Sequence, residues 1–166
     1  LCRGLVPLAW TSAALRPLPP PGGSPQGWWD LEASAKLAGT IATDGAADEP
    51  ADPRCRRAAW GFVAEEGGRR RWGPLAGEHQ TVFRAELTAA LEVLARRDWA
   101  RGATILIDSR AVVEGLKRIR GRDEAAEEDL GGAGHVDADL WRQVVALIRG
   151  REEAVRVIWV PSHTLE

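Results

Sequence analysis

Ala103-Thr104-Ile105-Leu106-Ile107-Asp108-Ser109 is the stretch that decides the fold class. The run from Ala103 to Ile107 is nearly all apolar and too short for a helix, as expected of a central strand buried on both faces. C-terminal to it, Ser109 to Ile119 reads as a helix. Gly121 to Gly134, rich in Glu and Gly, reads as a polar loop. Asp137 to Arg149 reads as another helix, with Leu140, Val144, Leu147 and Ile148 on its apolar side. Val155 to Val160 reads as a strand closed by Pro161. N-terminal to it, Phe83, Leu87, Leu91 and Leu94 recur at helical spacing within Thr81 to Arg97. Arg70 to Ala76 and Arg57 to Glu65 read as strands joined by a turn at Gly67-Gly68. Ala58, Trp60 and Phe62 share one face of the latter. Leu37 to Asp44 reads as a first strand ending in a turn at Asp44-Gly45. The order is β-β-β-α-β-α-α-β. Three meandering strands followed by βα units imply an α/β domain, a mixed sheet with helices packed on it.

Three carboxylates stand inside or at the ends of the most apolar segments. Asp44 closes the first strand and Asp108 the fourth. Glu86 lies on the helical stripe Val82, Glu86, Ala89, Ala90 and Val93, which is otherwise apolar. Each has a simpler reading on its own. Asp44-Gly45 suits a turn, Asp108-Ser109 a helix N-cap, and Glu86 a partly solvated helical position. Together they read differently, because burying lone carboxylates is costly unless a cation or hydrogen bonds compensate. The carboxyl ends of neighbouring strands border the active-site crevice of an open α/β sheet. If strands one and four are neighbours, Asp44 and Asp108 face each other there, and a helix across them delivers Glu86. Three converging carboxylates form a hard-oxygen site suited to Mg²⁺ or Mn²⁺.

Composition constrains the partners. Hydrophobic residues are 45% of 166, enough for a core, and the net charge is −2, so bulk charge does not advertise a nucleic-acid binder. A phosphate-binding surface must then be a local patch. Cys2 and Cys55 are too few for a disulfide framework and suit a reducing, intracellular compartment. There is no apolar run long enough to span a membrane, and Leu1 to Trp10 is a poor signal peptide. Residues 1–35 contain the run Pro19-Pro20-Pro21-Gly22-Gly23, which propagates neither helix nor ladder. They read as a linker or disordered tail, with Trp10, Trp28 and Trp29 as docking residues. The sequence has no Met and stops at Glu166, and reads as a fragment of a longer polypeptide.

Five stretches carry a resemblance. Ile41-Ala-Thr-Asp-Gly-Ala46, Thr81-Val-Phe-Arg-Ala-Glu-Leu87, Leu106-Ile-Asp-Ser109, Asp139-Leu-Trp141 and Ile158-Trp-Val-Pro-Ser-His163 resemble, in order, the motifs of type 1 RNases H. The resemblance covers residues 37–164, and the Pro-Ser-His form is similar to RNase H domains of retroelements as well as cellular ones. It implies an RNase H-like fold over residues 36–166, with a five-stranded sheet of three antiparallel and two parallel strands. It implies cleavage of the RNA strand of RNA/DNA hybrids with two Mg²⁺ or Mn²⁺ ions. Asp44, Glu86 and Asp108 match three of the family's four metal ligands, and His163 matches a mobile His that assists proton transfer or product release. Gly45, Thr81, Arg84 and Ser109 match positions at the substrate. Expected partners are the hybrid and an adjacent reverse transcriptase domain, with no membrane and a monomeric state.

The departures are specific. The family's fourth carboxylate lies on a final helix beyond the His loop, and the sequence ends three residues after His163, so the domain is expected to lack that helix. Val82 and Phe83 stand where many members carry Asn residues that touch the hybrid. Arg110 stands where a Gln is common. Asp123, Glu124, Glu127, Glu128 and Asp129 replace a basic protrusion found in some members. Lys117, Arg118, Arg120 and Arg122 offer a smaller basic patch, or simply a helix end that complements its dipole. His79 and His135 match no role. These departures favour one alternative, a catalytically impaired hybrid-binding module. An integrase or a 3′–5′ exonuclease on the same fold is a further rival, and a retroelement polyprotein remnant, with residues 1–35 as the connection to a reverse transcriptase, is another. Against the exonuclease, Ala46 stands where such an enzyme carries a Glu two residues after its first Asp.

Overall fold

The structure, a computed structural model, describes residues 36–50, 56–121, 124–132, 134–151 and 154–161. The linker expected at residues 1–35, both cysteines, Arg122, Asp123 and His163 lie outside the described residues. Five strands form one sheet: β1 (Gly39–Ala47), β2 (Ala58–Ala64), β3 (Arg70–Pro74), β4 (Ala103–Ile107) and β5 (Val155–Trp159). Their spatial order is β3-β2-β1-β4-β5. β1 pairs antiparallel with β2 and β2 with β3, while β4 runs parallel to both β1 and β5. This is the mixed sheet of three antiparallel and two parallel strands that the motifs implied.

Period-2 alternation sets one face of the sheet against the helices. Ile41, Phe62, Ile105, Ile107, Val155 and Val157 are buried in one core cluster with Leu87, Leu94, Leu116 and Trp141. The helices are α1 (Val82–Arg96), α2 (Arg110–Arg120), α3 (Glu124–Gly131) and α4 (Ala138–Ile148). Thr81 caps α1, its side-chain oxygen accepting from the Arg84 amide at 3.1 Å. Gly115 on α2 lets α4 close in: a Cβ there would overlap the Trp141 ring, 2.8 Å from Cζ2. None of the described helices is long and apolar enough to cross a membrane.

Two expectations need correction. β1 does not end in a turn at Asp44-Gly45. It runs to Ala47, with Asp44 opposite Gly61 and Gly45 opposite Trp60. Asp-Gly is turn chemistry, but here ladder pairing with β2 and close packing against α1 override it. Residues 121–134 are not a plain loop either, because Glu124–Gly131 is helical. Ala and Glu are good helix formers, and Glu124 and Glu127 in the first turn complement the helix dipole. Ion pairs of Arg149 with Glu127 and Arg118 with Asp129 tie it to its neighbours.

Candidate active site

Parallel pairing of β1 with β4 is what assembles the site. Ala42 aligns with Leu106, so the next residues up each strand bring Asp44 and Asp108 to one end of the sheet. Thr43 donates from Oγ1 to the Leu106 carbonyl at 3.2 Å and locks that register directly beneath Asp44. Helix α1 crosses this end closely because Gly45 has no side chain. A Cβ on Gly45 would overlap the Glu86 amide nitrogen and stand 2.9 Å from the Ala85 carbonyl carbon. The Gly45 amide donates to Glu86 Oε1 at 2.7 Å. Carboxylate oxygens of Asp44, Glu86 and Asp108 then lie within 4.8 Å of one another.

Burial sets Glu86 apart within this cluster. Glu86 is only 3% exposed, and its Oε2 is buried without a hydrogen-bond partner. Burial, then the adjacent charge of Asp108 and that of Asp44, push its carboxyl up to about 8, against the opposing pull of the Gly45 amide. An orphaned buried oxygen beside two further carboxylates is a donor set that fits a divalent cation with a preference for oxygen ligands.

A second set of charges holds α1 in place. Arg84 Nη1 donates to Asp137 Oδ1 and Asp139 Oδ1, both at 2.9 Å, and Nη2 donates to Asp139 Oδ2 at 2.5 Å. The hydrogen bonds to Asp139 and Asp137 raise the Arg84 pKa, and Arg84 in turn lowers that of Asp139. Gln80 secures the approach to α1. Its Oε1 accepts from the Ala58 amide at 2.8 Å, and its Nε2 donates to the Leu75 and Gly77 carbonyls at 3.0 and 2.7 Å. His135 Nδ1 accepts from the Asp137 amide at 3.2 Å, so this histidine shapes the loop before α4.

The structure thus unites Asp44, Glu86 and Asp108, with Gly45 against Glu86. Ser109 sits at the α2 N-terminus and makes no side-chain cap bond. Thr81 and Arg84 already serve as cap and clamp. Reading the sequence missed Asp137, Asp139 and Gln80 as positioning residues. Acidic residues immediately before an apolar helix were a signal for a distant Arg, but nothing local named Arg84. Because Asp137 is buried, Arg84→Ala strands a carboxylate. Breaking a buried pair costs about 3–5 kcal/mol, and a loss near the lower end is expected in urea melts. Arg84→Lys should recover only part of it, since an ammonium lacks the planar fork.

The family model for RNase H matches residues 37–166. The chain belongs to the RNase H family. The RNase H domain of PFV, solved in solution, is similar to this RNase H domain at a TM-score of 0.61 and 17% identity, covering 81% of this chain and 86% of that one. A foamy viral protease-reverse transcriptase in complex with RNA/DNA hybrid matches at 0.58 and 15%, over 95% of this chain and 24% of that one. The native prototype foamy virus protease-reverse transcriptase matches at 0.57 and 16%, over 86% and 20%. At these identities the likeness is one of fold. No curated protein matches the sequence.

Proposed function

We propose that this RNase H domain is a type 1 enzyme that hydrolyses the RNA strand of RNA/DNA hybrids by two-metal-ion catalysis. The observation that carries the reading is the Asp44, Glu86 and Asp108 cluster with the orphaned Glu86 Oε2. These three carboxylates would hold Mg²⁺ or Mn²⁺. Bound there, such cations would supply an activated water and neutralise charge on the departing 3′ oxygen. Glu86, fixed by the Gly45 amide, presents its free oxygen to the pocket. Asp44 and Asp108, carried by paired strands, keep their spacing as substrate arrives. Ser109, with its hydroxyl not spent on a cap, and Gly45 are placed to meet the hybrid. Contacts from Thr81 and Arg84 would add to their roles within the protein. His163 would assist proton transfer or product release.

Strand choice would rest on 2′-hydroxyl contacts across the minor groove, and affinity should fall with salt as counterions are released. A neighbouring reverse transcriptase domain is the proposed covalent partner, supported by the foamy viral proteins, of which a similar domain is a part. We place the domain inside the cell as a monomer.

Asp44→Asn tests the assignment, read as cleavage of a labelled RNA/DNA hybrid with Mg²⁺ or Mn²⁺ present. Removing a ligand forfeits several kcal/mol of charge stabilisation, so cleavage should fall by about 10³-fold or more. The exposed position of Asp44 predicts little change in melting. Full activity in the variant would sink the assignment.

A further inference from the structure

We propose that Trp159 contacts the substrate, its exposed indole face packing on the sugar of a nucleotide beside the scissile phosphate. The inference rests on the hybrid-ribonuclease reading above. Trp159 is the last residue of β5 and aligns with Ile107 in the parallel pair. Its Nε1 donates to the Asp108 backbone carbonyl at 2.9 Å, and the next amide, Val160 N, donates to the Ile107 carbonyl at 3.0 Å. The ring is therefore anchored to the peptide of a candidate metal ligand. It nevertheless remains 46% exposed, whereas Val155 and Val157 on the same strand are buried.

An exposed, oriented aromatic at the lip of a site loses little conformational entropy when a ligand covers it. Its polar atom is already satisfied by Asp108, so what it offers a ligand is an apolar π face. In a duplex the bases are stacked on each other, and the minor groove of an RNA-containing helix displays riboses and their hydroxyls. The matching surface is then a sugar, and the contact is indifferent to base sequence.

The test is binding of a fluorescent RNA/DNA hybrid by the 166-residue chain in EDTA, read by anisotropy, with wild type, Trp159→Phe and Trp159→Ala. Trp159→Ala should raise Kd about fivefold or more, as expected when a large apolar face loses its burial against the ligand. Trp159→Phe, which keeps a ring and drops the N–H, should stay within about twofold of wild type, and the ratios should hold for two unrelated hybrid sequences. Should the Ala variant fail to fold by circular dichroism, Trp159→Leu keeps apolar bulk without an aromatic face and should show the same weakening. Wild-type affinity in the Ala or Leu variant overturns the inference alone. So does a Phe variant as weak as Ala, because the N–H to Asp108 would then be what matters. Absence of hybrid binding by wild type overturns the ribonuclease reading and this inference with it.

Discussion

Glu86→Gln is expected to stabilise the metal-free protein at neutral pH and to abolish cleavage. Gln keeps the oxygen that accepts from the Gly45 amide and replaces the orphaned Oε2 with a donor facing two carboxylates. Relieving an unsatisfied buried group is worth about 1–3 kcal/mol, or about 2–4 °C in melting temperature per kcal/mol in a domain of this size. The sign depends on pH. Glu86 has a folded-state pKa raised above its ordinary value, so the folded state holds the proton more tightly than the unfolded one. Without metal, wild-type stability falls as pH rises from about 4.5 towards about 8. The Gln variant should lack this slope. Added Mg²⁺ or Mn²⁺ should raise the wild-type melting point more at pH 8 than at pH 5, and leave the variant nearly unmoved. A wild type whose melting is flat across that window and indifferent to divalent ions would contradict the picture of an incomplete carboxylate site.

The second large effect is Gly45→Ala. The added methyl would overlap backbone atoms of α1, and backbone cannot swing aside as the end of a flexible side chain can. Overpacking typically costs about 1–3 kcal/mol, and the upper end is expected here because strand and helix must separate. The same separation lengthens the Gly45 to Glu86 bond and spreads the cluster. Denaturant melts and cleavage should both report the loss. A variant with wild-type stability and activity would show that α1 does not need this approach.

These two positions also show where the sequence was legible. Ala103 to Ile107 announced a central strand because nearly every residue is apolar, and its observed bounds are those expected. Asp108 stood out because a charge follows that run without a polar buffer. Glu86 stood out because it interrupts an apolar helical stripe. Asp44 was found as a candidate ligand but placed at a turn, because the Asp-Gly pair carries turn chemistry and the need for a missing side chain under α1 is a tertiary fact. The α3 helix was hidden in a segment flanked by glycines, where composition argued for a loop and the helix formers between them argued otherwise. The Arg84 clamp joins residues 53 and 55 positions apart, beyond any local spacing rule. Trp159 lay inside a quoted motif, yet its bond to the Asp108 carbonyl exists only once β4 and β5 are paired.

Cleavage of an end-labelled RNA/DNA hybrid tests the central claim most directly. With Mg²⁺ or Mn²⁺ present, the domain should cut the RNA strand, leave the DNA strand intact, and stop when the ions are chelated. Hybrid bound but not cut would contradict the account, and would make the domain a binding module whose three clustered carboxylates serve another purpose.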